Sequence, residues 1–320
     1  MKAAAPTRAV PAQTVSSLWP AVAAAIGGSV MVGFMPIAAL HLYADGLSAP
    51  SMLLWRYAIA LPALAIAAAA TRLDIVAAWR RGGGKIVLVG ATLGAGQTLC
   101  FWESIRTLDT SIAVLLFYTY PVLTLALDRI LFKRPIRATP LFCVGIILAG
   151  AALVTLPGLR GGTLAVEGLL WALPAPLVYA LYLAANSVLL RSQPPLAGAI
   201  GIYLGLAVSF AAASLYGGLD VPAEASTWAL IIVVALGPGA LTITLFSYSV
   251  PRLGPSSYAI IANLELVTVV TVGITLLGEP ITPERAAGGL LIVTGIVGYG
   301  LLRKPEAVPA PAPVIASEAP

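Results

Sequence analysis

The chain has little charge for its length. Only 10% of its 320 residues are Asp, Glu, Lys or Arg, whereas soluble domains carry about 25%. A fold that dissolves in water needs polar groups over its outer surface, and 59% of this chain is hydrophobic. The shortage of charge therefore excludes a soluble domain and predicts that most of the chain lies in a lipid bilayer.

Histidine and cysteine are also scarce. The chain has one histidine, His41, and two cysteines, Cys100 and Cys143, which lie in separate apolar stretches. Metal centres and nucleophilic active sites need such residues in clusters. We therefore expect no metal site, no cofactor and no catalytic residue, and we interpret both cysteines as buried apolar side chains.

Two further absences narrow the function. No Gly-rich phosphate-binding loop ends in Lys-Ser or Lys-Thr, so we expect no ATP-driven motor within the chain. The net charge of +5 is not concentrated in a basic stripe, so we expect no nucleic-acid partner. The expected partners are the lipid bilayer and a small-molecule solute.

The apolar residues form ten stretches of about 20 residues, a length that crosses a hydrocarbon core of roughly 30 Å. Runs such as Ile86–Val89 do not alternate with polar residues as barrel strands do, so the stretches are predicted to be helices. The ten predicted helices lie near residues 18–40, 51–71, 86–105, 111–131, 138–157, 168–190, 195–216, 227–250, 255–277 and 283–302.

The ends of the chain differ from its apolar core. The first stretch, Leu18 to Leu40, is longer than the roughly 7–15 residues of a signal-peptide core, so we predict a permanent first helix. Residues 1–17 and the Pro/Ala-rich residues 304–320 have no apolar face to bury, and we predict that both are disordered tails. Residues 158–167 are predicted to link the fifth and sixth helices outside the cell membrane.

Positive charges sort by side of the membrane when the loops are numbered alternately from a cytoplasmic N-terminus. Three basic residues fall in outside loops, and Arg56 falls inside the second helix. The inside segments hold the others: Lys2, Arg8, Arg72, Arg80, Arg81, Lys85, Arg129, Lys133, Arg134, Arg137, Arg191, Arg252, Arg303 and Lys304. This bias predicts that both termini lie in the cytoplasm and that the number of crossings is even.

An internal repeat divides the core into two halves. Residues 85–150 align without a gap on residues 230–295, so that Gly94 falls on Gly239 and Gly150 on Gly295. If each half has five crossings, an odd number, the second copy is inverted in the bilayer. Inverted repeats build the two-sided cavity of many secondary transporters. The predicted fold is an all-α membrane protein with ten transmembrane helices in two inverted five-helix repeats, 18–157 and 168–303, around a central cavity.

Four short motifs resemble one known family. The stretch Leu115–Val122 resembles the fourth-helix signature of the EamA-type drug/metabolite transporters, and Asn263–Val267 is similar to their ninth-helix "Leu-Glu-Pro-Val". Residues Leu276–Ile281 resemble the "Leu-Leu-Gly-Glu" ending that follows it, and Trp55–Tyr57 resembles an aromatic-flanked arginine of the second helix. The resemblance covers roughly residues 18–303.

This resemblance implies a ten-helix basket with a central cavity, in a bacterial inner-membrane protein that moves metabolites or drugs, often outward. The chain departs from the pattern at two places. Leu266 stands where the family motif has proline, and Lys133-Arg134 stands where the first half often carries Gly-Glu. The resemblance implies a family but does not identify the transported solute.

Glu265 is the acid nearest the middle of a predicted helix, with Asn263 two residues away. A charge at a helix centre in a bilayer costs at least about 2.5 kcal/mol on insertion scales. Glu265 is therefore a candidate for a protonatable group or for the counter-charge of a cationic solute. The alternative is a structural acid that pairs with a polar group on a neighbouring helix.

Other residues are candidates for the cavity wall. Arg56 can bind a substrate carboxylate, or it can pair with Glu103 or Glu265 or extend towards the membrane surface. Tyr120 is the repeat mate of Glu265, and Tyr118 is the mate of Asn263, so the halves place unlike chemistry at equivalent positions. The remaining candidates for solute or proton binding are Trp102, Tyr179, Tyr182 and Gln97.

Several prolines lie inside predicted helices. Each removes a backbone hydrogen bond and frees a carbonyl group. In transporters such breaks often lie where helices bend around the binding site. Pro121, Pro174, Pro176 and Pro238 are therefore candidate hinges, with simple kinks as the alternative.

The sequence favours a secondary active transporter that works by alternating access, with export as the expected direction and protons as a candidate coupling ion. With only Arg56 as a basic residue well inside a helix and Glu265 deeper, highly anionic solutes are disfavoured. Small metabolites, amino acids and drug-like neutral or cationic solutes remain. The alternatives are a channel-like or uptake permease and a membrane-embedded enzyme, and the oligomeric state is a monomer or a homodimer.

Overall fold

In the computed structural model the described residues are 18–80, 82–108, 110–159, 165–277 and 281–302. The regular structure of these segments is helical, and no strand occurs within them. Several predictions lie outside the described residues: both tails, residues 160–164 of the 158–167 linker, and the Gly278-Glu279-Pro280 part of one family motif.

The described segments contain nine helices that are long and apolar enough to cross a membrane. The same segments also contain two shorter apolar helices near the N-terminus and one short connecting helix. In chain order the helices are α1 (Trp19–Val32), α2 (Met35–Ala44), α3 (Ala49–Ala70), α4 (Ile75–Trp79), α5 (Gly83–Thr107), α6 (Ser111–Phe132), α7 (Ala138–Leu156), α8 (Val166–Ser192), α9 (Pro195–Gly217), α10 (Ala225–Leu253), α11 (Pro255–Leu276) and α12 (Pro283–Leu302).

The prediction of one unbroken helix over residues 18–40 is wrong. A turn at Gly33 and Phe34 separates α1 from α2, and neither piece alone reaches the length of a membrane crossing. The turn is tightened by a hydrogen bond of 3.3 Å from the Phe34 amide to the Met31 carbonyl. The count of ten crossings is therefore not confirmed by helix length, although α1 and α2 together occupy the place of the tenth.

Close packing explains the glycine in this turn. A Cβ atom on Gly33 would lie 2.5 Å from the Cβ of Thr268 and 3.0 Å from the Glu265 carbonyl oxygen, both on α11. Only glycine allows two backbones to approach this closely. The turn between α1 and α2 is therefore held against the middle of α11.

The two halves share their irregularities as well as their sequence register. A π-helical segment interrupts α5 at Gly90–Gly94, and another interrupts α10 at Ala235–Leu241. These two segments begin at positions that the repeat alignment makes equivalent. A π-segment leaves backbone groups without their usual helical partners. In α5, the Ala91 carbonyl accepts a hydrogen bond of 2.7 Å from the Ser209 hydroxyl of α9.

The long helices α6 and α11 break at equivalent positions too. In α6 the first segment ends at Phe117 and the second begins at Tyr120. In α11 the first segment ends at Ala262 and the second begins at Leu264. The repeat mates Tyr118 and Asn263 therefore lie within the two breaks, and Tyr120 and Glu265 lie in the first turns that follow them.

At one end of the bundle, Asp220 in the loop after α9 connects that loop to the start of α3. Asp220 follows α9, and its Oδ2 accepts a hydrogen bond of 2.8 Å from the Ser48 amide at the start of α3. The Trp55 indole donates to the Asp220 carbonyl at 2.9 Å. Hydrogen bonds from Ser48 hold the pKa of the Asp220 carboxyl below its usual range. These bonds connect the first half of the chain to the second.

Glycines allow α7 and α12 to pack backbone against backbone. A Cβ on Gly150 would lie 2.6 Å from the Gly288 carbonyl oxygen, and a Cβ on Gly295 would lie 2.6 Å from the Ile147 side chain. Gly150 and Gly295 are repeat mates. Without a hydrophobic driving force between helices in lipid, such close approach is a main source of helix association.

Gly150→Ala is expected to lower the free energy of unfolding by about 1–3 kcal/mol, because the added methyl group meets a backbone carbonyl that cannot rotate away. Thermal unfolding of the purified protein measures the effect as a lower Tm. Gly145→Ala, on the same helix, is the matched control, since a Cβ there has no atom within 4 Å. Equal Tm values for the two variants would contradict this account of the α7–α12 contact.

Candidate functional site

Glu265 lies beside the break in α11, in the first turn of the segment Leu264–Leu277. A negative charge is favourable at this end of a helix segment because the free backbone amides point towards it. The side chain is half-buried and forms no hydrogen bond or ion pair with any residue that the structure describes. Its carboxylate is therefore a charge in the membrane interior without a counter-charge from the described part of the chain.

Four tyrosines lie within electrostatic range of this carboxylate. They come from α6, α8 and α11: Tyr118, Tyr120, Tyr179 and Tyr258. Tyr118, Tyr120 and Tyr258 are buried, and Tyr179 is half-buried. The structure thus brings Glu265 near three other candidates from the sequence, Tyr118 and Tyr120 on α6 and Tyr179 on α8. It adds Tyr258, which the sequence analysis did not single out.

The aromatic rings form a continuous wall across the two halves. Phe117 lies 5.4 Å from Tyr179, which lies 4.8 Å from Tyr120. On the other side of Tyr179, contacts of 6.1 Å, 5.5 Å and 5.2 Å run in turn through Tyr182, Phe246 and Tyr258. Aromatic faces carry negative potential and attract cations. A carboxylate at such a wall is suited to bind a positively charged group.

Residues at the two helix breaks donate hydrogen bonds to the same backbone carbonyl group. The Ala259 carbonyl accepts a hydrogen bond of 3.2 Å from the Tyr120 hydroxyl of α6 and one of 2.7 Å from the Asn263 side-chain amide of its own helix. Asn263 is 1% exposed, and its side-chain amide is taken up by this bond within its own helix. The Tyr120 bond ties the first half to the second beside Glu265.

Arg56 lies apart from this carboxylate. Its Nη2 donates to the Tyr203 hydroxyl at 3.3 Å, and its guanidinium carbon lies 5.0 Å from the ring centre of Tyr57. Its buried Nε has no hydrogen-bond partner among the described residues. Glu103, one partner considered from the sequence, instead binds Arg106 at 2.6 Å. Arg56 lines a small void beside α2 and α10, about 10 Å³ in volume, which is too small for a solute.

Trp102 and Gln97 lie on α5, at the edge of the aromatic wall. The Trp102 ring contacts Tyr43 at 5.4 Å and Phe101 at 5.9 Å, and Phe101 contacts Phe117 at 5.1 Å. Phe101 is the repeat mate of Phe246, so both halves contribute an aromatic side chain at this level. The Gln97 side-chain amide donates to the neighbouring Thr98 hydroxyl at 2.6 Å.

The candidate hinge prolines lie at irregular points of the helices. Pro121 follows the break in α6. Pro174 starts the second segment of α8 after a turn at Leu173, with Pro176 two residues on, and Pro238 lies within the π-segment of α10. The equivalent π-segment in α5 contains no proline, so proline alone does not account for this irregularity.

The helices α6 and α11 pack at one end only. Their segments Tyr120–Phe132 and Pro255–Ala262 contact each other, and all eight residues of the latter are buried. The opposite segments, Thr110–Phe117 and Leu264–Leu277, have no comparable contact, and residues 267–270 are half-exposed. We refer to the packed side as the Asp128 end, after the acid near the end of α6.

Hydrogen bonds close the Asp128 end. The Ser256 hydroxyl of α11 donates to the Asp128 carboxylate, and Ser257 shares a hydrogen bond of 2.9 Å with the Tyr299 hydroxyl of α12. Arg134 lies 3.7 Å from Asp128. The repeat mate of Asp128 is Gly273, so the second half offers no equivalent carboxylate. The sequence analysis missed Asp128, although a lone acid within an apolar stretch was a signal that could have identified it.

Metal binding finds no support in the described residues, which contain no group of three or more His, Cys, Asp or Glu side chains. Within those segments the chemistry of the site is that of one carboxylate, several phenol hydroxyls and aromatic faces. Such a set can bind, orient and release a solute.

Comparisons with known proteins agree with this architecture. The family model described as "EamA-like transporter family" matches the chain twice, at residues 19–156 and 166–301. One solved structure, described only as "Crystal structure of protein", has a TM-score of 0.77 at 17% identity and covers 90% of this chain and 98% of its own. That likeness shows the fold alone. No curated protein matches this chain significantly.

Tyr120→Phe is expected to lower the free energy of unfolding by about 1 kcal/mol, because it removes the hydrogen bond to the Ala259 carbonyl and keeps the ring contacts. Thermal unfolding measures the loss. Tyr216→Phe is the control, since Tyr216 is 97% exposed. An unchanged Tm for Tyr120→Phe would show that this bond does not hold the two halves together.

Proposed function

This chain belongs to the EamA-like transporter family, within the drug/metabolite transporter superfamily, and on that premise we propose that it is a secondary active transporter of small organic solutes that works by alternating access. The family match covers both repeats. Because members of this family are transporters, a membrane-embedded enzyme is the less supported reading. The multi-pass membrane architecture follows from the same match and from the apolar helices.

The uncompensated carboxylate of Glu265 supports a cationic solute. In lipid, a charge without a partner is costly, so the binding of a cation or a proton at Glu265 lowers the free energy of the site. The adjacent aromatic wall adds an attraction of about 0.5–2 kcal/mol for an organic cation. Amines and drug-like cations fit this chemistry best, followed by amino acids bound through their ammonium groups. Neutral metabolites remain within the proposed range.

A proton is the proposed coupling ion, because the same carboxylate can hold either a proton or a cationic group. If each displaces the other, solute movement in one direction is coupled to proton movement in the opposite direction. Reciprocal displacement of this kind requires only one acidic group and two access routes. Arg56, which donates a hydrogen bond to Tyr203 and forms no ion pair with Glu265, is proposed to be structural.

The packing of α6 and α11 supports a state that is open on one side. The Asp128 end is closed by hydrogen bonds between the halves, while the opposite segments are separate. A change to the state that is open at the Asp128 end would break the hydrogen bonds that Ser256 and Tyr120 donate. It would also bring Thr110–Phe117 of α6 and Leu264–Leu277 of α11 together. The helix breaks at Tyr118 and Asn263 and the hinge candidate Pro121 lie where this rearrangement would bend the helices.

The distribution of basic residues supports one orientation of the chain in the membrane. Four basic residues lie in the last turn of α6 and the loop after it, and they favour a cytoplasmic position for the Asp128 end: Arg129, Lys133, Arg134 and Arg137. We propose a bacterial inner-membrane protein with both termini in the cytoplasm, in the outward-open state, with export as its direction. A channel or an uptake permease is the second candidate, and counterflow of a labelled solute separates a carrier from a channel.

Glu265→Gln is expected to abolish solute transport in proteoliposomes, because the amide has the same shape but neither the charge nor the exchangeable proton. Uptake of labelled organic cations against an imposed pH gradient is the measurement. Glu224→Gln, in an exposed loop position, is the matched control and should transport normally. Full transport by a folded Glu265→Gln variant would exclude Glu265 as the binding carboxylate.

Ser256→Ala is expected to loosen the closed end. A hydrogen bond to a charged group is worth about 1.5–3 kcal/mol, so amide hydrogen exchange in Pro255–Ala262 should speed up by at least roughly tenfold. Exchange in α9 should not change. Ser226→Ala, at an exposed serine beyond the bundle core, provides the control. If Pro255–Ala262 exchanges at the same rate in both variants, the bond to Asp128 does not act as a gate.

A further inference from the structure

A cavity of about 440 Å³ lies at the Asp128 end, between the ends of α6, α7, α11 and α12. Its volume is in the range of ligand sites. Its polar lining includes Asp128, Arg134, Arg137, Ser256, Ser257 and Tyr299. The cavity is separate from the aromatic wall around Glu265, since none of the wall tyrosines lines it, and the proposed transport cycle gives it no occupant.

The cavity sits beneath a basic segment. Four of the nine residues from Arg129 to Arg137 are Lys or Arg, and two of these, Arg134 and Arg137, line the cavity. The cavity lining itself contains one acid, Asp128. Basic residues placed just beyond a membrane helix attract anionic lipid at about 1 kcal/mol each, and basic pockets between helices bind phosphate-bearing headgroups.

Arg134 is only loosely engaged with that acid. Its Nη1 lies 3.7 Å from Asp128 Oδ1, beyond the distance of a charge-assisted hydrogen bond. The Asp128 carboxylate is already engaged by the Ser256 hydroxyl. The Arg134 side chain remains 28% exposed. Its guanidinium therefore has donors available for an oxygen ligand in the cavity.

The rim of the cavity is apolar and faces outward. Ile136 is 50% exposed and Leu302 is 59% exposed, and both line the cavity. Phe142, on the neighbouring α7, is 67% exposed. Phe142 lies on a membrane helix, where an exposed apolar side chain faces lipid tails. The cavity thus joins a lipid-facing surface to a basic, hydroxyl-lined interior, which is the profile of a lipid headgroup site rather than of a site for a soluble ion.

We propose that this cavity binds the phosphate group of an anionic membrane lipid. Arg134 and Arg137 would hold the phosphate oxygens, the hydroxyls of Ser257 and Thr139 would bind the headgroup, and the acyl chains would lie against Phe142 and Leu302. The lipid would bridge α6 and α7 of the first half to α11 and α12 of the second. Occupancy therefore stabilises the closed Asp128 end, whether or not the transport mechanism proposed above is correct.

The test uses the full chain, purified in neutral detergent and titrated with phosphatidylglycerol, phosphatidylcholine or inorganic phosphate, with the Tm as readout. Phosphatidylglycerol is expected to raise the Tm, and phosphatidylcholine to leave it nearly unchanged. The shift should shrink in high salt, because screening weakens contacts at a half-exposed site. Equal shifts with both lipids would overturn the proposal. An equal shift with inorganic phosphate would identify a soluble phosphate as the ligand and overturn the lipid assignment.

Variants locate the site. Arg134→Gln with Arg137→Gln should remove at least half of the phosphatidylglycerol shift, and Arg80→Gln, at an exposed arginine outside the cavity, should retain it. Arg137→Gln alone, at an exposed position, serves if the double variant does not fold, and it should give a smaller partial loss. A full shift in the folded double variant, or in Arg137→Gln if that variant alone folds, would overturn the proposal.

Discussion

Placing the Glu265 carboxylate inside the bilayer costs at least about 2.5 kcal/mol on insertion scales unless other groups compensate the charge. The fold lowers part of this free-energy cost. A helix break puts the carboxylate near free backbone amides at the start of a helix segment. The remaining imbalance is what a solute cation or a proton can correct, and the binding function proposed for this protein depends on it.

The repeat explains why the break is where it is. Equivalent helices in the two halves carry π-segments and breaks at matching positions, so the irregular backbone is a property of the duplicated unit. Side chains then differ within that shared geometry. The first half places Tyr118 and Tyr120 at its break, and the second places Asn263 and Glu265. Likewise Asp128 has Gly273 as its mate, so the second half has no carboxylate at the equivalent position.

Much of the helical architecture and of the candidate site could be predicted from the sequence, because these features depend on local composition or on the internal repeat. Apolar length predicted the helices, and the ungapped register predicted that Tyr120 and Glu265 occupy equivalent positions. What could not be predicted depends on contacts between distant residues. The division of the first helix at Gly33 rests on its approach to Thr268, and Arg56 meets Tyr203 instead of a carboxylate. Tyr258 and Phe246 were missed because an aromatic residue in an apolar helix gives no sign of whether it faces lipid or the interior.

The central claim is that Glu265 and its aromatic wall bind a positively charged group. Isothermal titration calorimetry of the purified protein with 2-phenylethylamine and with its neutral counterpart 2-phenylethanol tests it directly, since the two ligands share size and ring but not charge. The amine is expected to bind at least about tenfold more tightly, a difference of about 1.4 kcal/mol. Equal affinities, or tighter binding of the alcohol, would contradict the account.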